Sequence, residues 1–324
     1  MLKIGLIGLG YLGKIHLRIL HETESLQLVG IYDIDENARE ALARQYGVKA
    51  YSSADELIND CDAVDIVTPS NTHFEIASSA IKKGKHVFIE KPVTPTIEEA
   101  KQLLQLQKEA GVKVQIGHVE RFNPAFISAR PYIKSPQFIE IHRLAQYNPR
   151  GTDVSVTLDL TIHDLDLLLN IVNSNVKKID AVGVNIISTT VDMVNARIEF
   201  ENGCVANITT NRMSLKNMRK FRIFQLNSMV SINLLDKVTE LVHLKDAEKN
   251  SRNLVLKSGN GLPDKELVFQ HPIILPTNAI KEELLAFQNS INTGTKPVVT
   301  IEDAIDVLSL AYSIDEKIQR LISK

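Results

Sequence analysis

The chain has 324 residues, 44% of them hydrophobic and 23% charged, which suits a soluble globular protein with room for two domains. A formal net charge of -2 gives no electrostatic footprint for nucleic acid or an anionic membrane. Cys61 and Cys204 are too far apart in sequence to suggest a metal or disulfide motif, and the apolar start at Leu2 to Gly10 is too short and glycine-rich for a signal peptide. No run reaches membrane-spanning length, so the expected setting is the cytoplasm.

Residues 3 to 7 read as a short apolar strand, and a helical stretch runs from Lys14 to His21. A second strand covers Leu26 to Tyr32 and a helix Glu36 to Tyr46. Strands then follow at 64 to 68, 86 to 89 and 112 to 116, with helical spacing at 73 to 83 and 96 to 110. This alternation predicts a doubly wound parallel sheet with right-handed crossovers, a Rossmann domain over residues 1 to 122.

Between the first strand and helix lies Gly8-Leu9-Gly10-Tyr11-Leu12-Gly13, and Asp33 ends the second strand twenty residues past Gly13. Glycines in that context, with the acidic residue at that distance, form a dinucleotide fingerprint. Gly8 permits a tight turn, Gly10 lets backbone approach a pyrophosphate, and Gly13 allows close helix–strand packing. The helix N-terminus then offers amide donors to the phosphates. Asp33 is expected to accept from the adenosine ribose hydroxyls, which favours NAD over NADP. Thr68-Pro69-Ser70-Asn71-Thr72-His73 closes the next strand at the same sheet edge. Its polar residues either cap the following helix, as Asn71 or Thr72 would, or contact the cofactor.

Glu90-Lys91-Pro92 follows the strand His86 to Ile89. Proline bars helix continuation and biases Lys91 toward extended backbone, which places its ammonium at the ligand-binding edge of the sheet.

After Arg121-Phe122-Asn123-Pro124 strand signals dominate: 137 to 144, 179 to 187, 193 to 200, 204 to 211, 220 to 226 and 229 to 234, with Asn202-Gly203 as a hairpin signal. A second domain over residues 123 to 324 is therefore expected to be α+β, with a largely antiparallel sheet covered on one face by helices. One helix, about 158 to 172, carries Asp159, His163 and Asp166 at i, i+4 and i+7. A carboxylate one turn before an imidazole can orient it and raise its basicity, which suits proton removal from a hydroxyl; a surface i,i+4 pair is the plainer alternative. The pair lacks a third ligand, so no metal is expected.

These motifs resemble the Gfo/Idh/MocA oxidoreductases from the first strand to about residue 169, through Gly8-x-Gly10-x-x-Gly13, Thr68-Pro69-x-x-x-His73, Glu90-Lys91-Pro92, Gly117-His118 with Arg121-Phe122-Asn123-Pro124, and Asp159-x-x-x-His163-Asp164-x-Asp166. The resemblance implies Lys91 beside the nicotinamide and the reacting hydroxyl, His163 as general acid/base and Asp159 as its neighbour. It implies a cofactor site that includes Gly8, Gly10, Tyr11, Leu12, Gly13, Asp33, Thr68, Pro69, Asn71, His73, Glu90 and Lys91. It also implies sugar, inositol or nucleotide-sugar substrates, and homodimers or homotetramers built on the open face of the second sheet.

Gly117 to Ala125, the 159–166 helix and Asn211-Arg212-Met213-Ser214-x-Lys216 are further similar to enzymes that oxidise the 3-hydroxyl of UDP-N-acetylglucosamine. A diphosphate substrate needs cations and donors, for which Arg121, Asn123, Arg143, Arg150, Arg212 and Lys216 are candidates; ordinary surface ion pairing would explain the charged ones equally well. Ser155-Val156-Thr157 departs from the glycine-rich approach many members have before the catalytic helix. Competing expectations are a dehydrogenase of a free sugar or inositol, an NAD-using glycosidase, and a non-catalytic nucleotide-binding regulator, which has no need of Lys91, Asp159 and His163 together.

Overall fold

The computed structural model describes residues 1–149, 151–248, 253–257, 259 and 262–322. The chain divides into two compact units: residues 1–119 with 278–309, and residues 120–277 with 310–324. The first boundary lies three residues before the expected one. The expected second domain, however, does not run unbroken to the C-terminus, because residues 278–309 rejoin the first unit.

The first unit opens with β1 (Leu2–Ile7), α1 (Tyr11–Glu22), β2 (Leu26–Tyr32), α2 (Glu36–Tyr46), β3 (Lys49–Ala50) and α3 (Ala54–Asp60). It continues with β4 (Ala63–Ile66), α4 (His73–Lys82), β5 (His86–Glu90), α5 (Ile97–Ala110) and β6 (Val114–Gly117). The strands form a six-stranded sheet in the order β3-β2-β1-β4-β5-β6, with every pairing parallel. The order reverses beside β1, and that switch point is where a doubly wound sheet opens a crevice at its carboxyl edge. Local sequence sets the helix ends. Asp35 accepts from the Ala38 amide at the start of α2, and Thr96 and Glu99 form a reciprocal capping box on α5.

The second unit contains α6 (Pro124–Ala129), β7 (Pro136–Leu144), α7 (Ile162–Val172), β8 (Val176–Val184), β9 (Met193–Phe200), β10 (Val205–Asn211), β11 (Met218–Gln225) and β12 (Ser228–Asn233). Three further strands, β13 (Val238–Asp246), β14 (Leu254–Leu256) and β15 (Lys265–Gln270), complete a nine-stranded sheet ordered β14-β15-β13-β12-β11-β7-β10-β9-β8. All its pairings are antiparallel except β10 with β7. Along β7, β9, β10 and β11 burial alternates, with Ile139, Ile141, Ala196, Ile198, Ala206, Ile208, Phe221 and Ile223 turned to the core. The hairpin at Asn202-Gly203 joins β9 to β10, with Gly203 at φ 86°.

Two helices follow, α8 (Ala279–Thr293) and α9 (Ile301–Ile322), and the division between the units falls within α9. Helix α8 belongs to the core of the first unit. Leu284 and Phe287 are buried with Ile4, Leu6, Leu17, Leu20 and Phe88, and the Phe88 and Phe287 rings meet edge-on with centroids 6.0 Å apart. Each such aromatic, fully buried, stabilises the fold by about 1.5–3 kcal/mol.

Candidate active site

The glycine loop is built as its spacing predicts. Gly8 has φ 100°, and a Cβ there would stand 2.6 Å from the Val67 carbonyl oxygen, so only glycine fits. A Cβ on Gly13 would lie 2.1 Å from the Gly8 carbonyl oxygen, so α1 packs onto the loop at backbone distance. Gly10 differs: a Cβ there meets nothing within 4 Å. Its smallness is not demanded by the protein's own packing, which leaves that space for a ligand. Gly10 is also the N-cap of α1 and offers no capping side chain to the first-turn amides. A phosphate is the group those amides and the helix dipole accommodate. Tyr11 and Leu12 form the first turn, Tyr11 with its side chain exposed.

Asp33 braces this loop. Its carboxylate accepts from the Leu9 amide at 2.6 Å and from the Asp35 amide at 2.9 Å. Arg39 donates to the Asp33 carbonyl at 3.0 Å and lies over the Tyr32 ring, so the one nearby guanidinium is drawn under the strand end. These features fit a dinucleotide whose ribose faces Asp33.

At the neighbouring strand end Thr68 is half-buried and Pro69 and Asn71 are exposed. The expected capping of α4 by Asn71 or Thr72 is not what forms, since α4 has no side-chain cap. Thr72 instead braces the loop, its Oγ1 2.7 Å from Thr68 Oγ1 and 2.8 Å from the Pro69 carbonyl. His73, expected among the cofactor contacts, is corrected to a scaffold role. It is buried, with Nδ1 2.9 Å from the Pro92 carbonyl and Nε2 2.9 Å from the Thr68 carbonyl, so it ties the two edge loops together.

Lys91 follows β5 directly and is half-buried, with a cis peptide to Pro92. Its amide donates to Glu90 Oε2 at 3.1 Å. Beneath Glu90 lie two groups that the motifs did not identify, His16 on α1 and Asp65 on β4, both fully buried. The available signal was Asp65 itself, a carboxylate inside the apolar run Val64 to Val67.

In the second unit, Asp159 and His163 are both half-buried. The expected helix over 158–172 is not regular. Residues Thr157–Thr161 form a π-helical turn that leads into α7, so Asp159 and His163 are not spaced by ordinary α-helical geometry. Such turns are rare and concentrate at functional sites. Ser155, where the sequence departs from the family pattern, anchors this turn to α9: its Oγ donates to Asp315 at 2.6 Å. Burial pushes the Asp315 acid up, against the hydrogen bond from Ser155.

Three expected substrate ligands are corrected. Arg143 is buried and forks onto Asp164 at 2.7 and 2.8 Å, with Glu120 at 3.2 Å. Burial works against its charge, but Asp164 and Glu120 more than offset it and hold it cationic. Arg212 is likewise buried, donating to Asp192 at 2.8 Å and to the Gly151 and Val154 carbonyls. Asn123 is buried as the N-cap of α6 and also donates to Glu120 and the Leu234 carbonyl. Arg121 is bound bidentately to Asp166 at 2.7 and 2.9 Å, so Asp166 serves that pair. Lys216 is exposed, and Arg150 lies outside the described residues. Asp164 and Asp166 thus fasten α7 through two arginines, Arg143 and Arg121.

Residues 2–118 match a family described as "Oxidoreductase family, NAD-binding Rossmann fold", and residues 113–226 match the GFO/IDH/MocA C-terminal domain. The chain belongs to the GFO/IDH/MocA oxidoreductase family. It is an oxidoreductase whose first unit is an NAD-binding fold. The UDP-N-acetylglucosamine 3-dehydrogenase of Acidithiobacillus ferrooxidans is 36% identical over 245 residues, 75% of this chain and 77% of the relative. The solved structure of that enzyme superposes with a TM-score of 0.88 at 29% identity, over 98% of both chains. The myo-inositol 2-dehydrogenase of Thermotoga maritima is 24% identical over 98% of this chain and 96% of its own.

Proposed function

We propose that this oxidoreductase oxidises a secondary hydroxyl of a nucleotide sugar, the 3-hydroxyl of UDP-N-acetylglucosamine, to the ketone with NAD as hydride acceptor. The observation that carries the substrate is the 36% identity to the Acidithiobacillus ferrooxidans enzyme across three quarters of the chain. Bound NAD supplies the hydride acceptor. His163 takes the hydroxyl proton as the hydride leaves the same carbon, Asp159 supports the imidazolium that results, and the Lys91 ammonium polarises the carbinol oxygen. Gly10 and the first turn of α1 receive the pyrophosphate, Asp33 the ribose hydroxyls, and the loop of Thr68, Pro69 and Asn71 flanks the cofactor. Lys216 is an exposed cation available to the substrate diphosphate, and Arg150 is proposed for the same role.

The inositol dehydrogenase relatives, which span nearly the whole chain, favour a cyclitol as the second reading. Purified protein with NAD and a panel of UDP-sugars, free sugars and inositols, followed by NADH absorbance, separates the two. 2-Oxoglutarate is added as a hydride acceptor in case cofactor is tightly held, and products are checked by mass. Oxidation of UDP-N-acetylglucosamine alone supports the reading, and oxidation of an inositol in its place overturns the substrate. Without 2-oxoglutarate, release of the glycosidic substituent with no net NADH and no ketone product by mass would signal a glycosidase. Lys91→Ala is expected to lower kcat at least 100-fold while the Kd for NAD stays within threefold; loss of NAD binding alone would contradict its proton-handling role. We further propose a cytoplasmic homo-oligomer, supported by the half-buried pair Phe138 and Phe224 on the outer face of the second sheet, and checked by light scattering.

A further inference from the structure

Under the Glu90-Lys91-Pro92 turn the first unit buries three carboxyl groups and an imidazole together. His16 Nδ1 lies 2.8 Å from Asp65 Oδ2, and His16 Nε2 lies 3.4 Å from Glu90 Oε1. Glu283, on α8, brings a carboxyl to within 4.8 Å of both His16 and Glu90. It is 0% exposed, and neither of its oxygens has a hydrogen-bond partner among the described residues.

A hydrophobic sheet–helix interface gains nothing in stability from such a group. Ionised and unpaired it would cost several kcal/mol, and replacement by apolar residues would be neutral or better. The cluster is also specifically seated. A Cβ on Gly117 would stand 2.8 Å from Glu90 Oε1, so β6 leaves out a side chain to make room for that carboxylate. Glu90 is therefore held from three directions: by His16 below, by the Gly117 backbone beside it, and by the Lys91 amide that donates to its Oε2.

We propose that His16, Asp65 and Glu283 are positioning residues for Lys91, acting through Glu90. The proposal rests on the proton-handling role given to Lys91 above. Asp65 fixes the ring of His16 through Nδ1, while Nε2 faces the Glu90 carboxyl at 3.4 Å without closing a hydrogen bond. The imidazolium lies between those two carboxyls, and Glu283 stays a neutral acid. The groups facing this proton system are Asp65 on β4, Glu90 on β5, His16 on α1 and Glu283 on α8. Burial opposes the His16 cation but Asp65 and Glu90 outweigh it and hold it well above its ordinary range, while burial followed by Glu90 pushes Glu283 up and burial, against His16, pushes Asp65 up. The Glu90 carboxyl is thus fixed at the end of β5, and the Lys91 amide is bonded to it. His16, Glu90 and Glu283 are also close enough to one another to ligate a divalent cation, an outcome the experiment separates.

The experiment uses the full chain and two readouts. In turnover with NAD and UDP-N-acetylglucosamine, His16→Gln and Glu283→Ala are expected to lower kcat at least tenfold, with KM and NAD affinity within threefold. Glu283→Gln, which keeps a neutral donor, is expected to recover most of the Glu283→Ala loss. The double variant His16→Gln/Glu90→Gln is expected to be no slower than the worse single one, because both act on one element. Independently of turnover, competitive acetylation read by mass spectrometry gives the reactivity of Lys91 relative to exposed Lys14. His16→Gln and Glu283→Ala are expected to change that ratio at least threefold. An unchanged ratio overturns the proposal even where the wild type turns over no sugar, whereas failure of turnover with a changed ratio overturns only the function proposed above. Losses in melting temperature with kcat intact, or stoichiometric divalent metal whose removal mimics the variants, also overturn it.

Discussion

Gly10 and Gly13 stand three residues apart and carry opposite burdens. Alanine at 13 drives a methyl group into the Gly8 carbonyl, so Gly13→Ala is expected to destabilise by about 1–3 kcal/mol or more in thermal or denaturant unfolding. Alanine at 10 meets nothing in the protein, so Gly10→Ala is expected to melt like the wild type while losing at least tenfold in NAD affinity by calorimetry. Equal melting losses in both would show that Gly10 is kept for packing. The buried titratable groups predict how stability moves with pH. Folded His16 and Glu283 hold their protons above their ordinary values of 6.5 and 4.5, so stability is full below those values and falls as pH rises through the raised ones. Asp192 has the opposite sign. Burial pushes it up, but the amides of Ser188, Ile187 and Ile186 together with Arg212 outweigh that and hold it well below its ordinary 3.8, so its contribution is lost as pH falls. Melting temperature is expected to decline on the alkaline side, and Glu283→Gln is expected to flatten that decline.

At the scale of elements, the site helix of the second unit depends on ion pairs that pattern alone does not reveal. Arg143 alternates inward on β7 with Ile139 and Ile141, and its guanidinium reaches Asp164 at the start of α7. Removing it leaves a buried carboxylate unpaired, so Arg143→Ala is expected to cost about 3–5 kcal/mol in denaturant unfolding. Arg143→Met with Asp164→Leu is expected to recover most of it, since Arg219 still pairs with Glu120. A double variant as unstable as the single would refute the ion-pair account. The parallel sheet was legible because glycine loops, apolar strands and helix caps are local signals, and α2 and β9 fall where periodicity put them. Strands β13 to β15 were not, because Val238 to Gln270 alternates weakly and is dense in charged and polar residues, although Asn260-Gly261 is a turn signal within it. The π-helical turn at Thr157–Thr161 was also invisible, since Ser155, just before it, is held by Asp315 from 160 residues away in sequence. Arginine identity showed charge, but only partners decide whether an arginine meets a ligand or a buried aspartate.

For the whole molecule, the expected division at residue 122 misplaces one helix that matters. Gln115 Nε2 donates to the Glu283 carbonyl at 2.7 Å, the Ile116 amide donates to the Val299 carbonyl at 3.1 Å, and Phe287 closes on Phe88. A fragment of residues 1–122 therefore lacks part of its own core. It is expected to show a broad, low-temperature transition by circular dichroism, and adding residues 278–309 through a flexible linker is expected to restore a cooperative one. A sharp native-like transition in the short fragment would contradict this.

The return of α8 also sets a timetable for synthesis. The nucleotide-binding half is translated first, yet Leu284 and Phe287 arrive only after the second unit's nine strands have been made. Between positions 119 and 309 the ribosome adds about 190 residues, which at common elongation rates takes roughly 10–40 s. For that interval the α8-facing side of the first sheet is uncovered, its apolar residues beside Phe88 exposed to whatever is near. The unit whose sequence begins first thus waits for a helix near the end of the chain to close its core, and conditions that slow elongation would lengthen its exposure to chaperones and to aggregation.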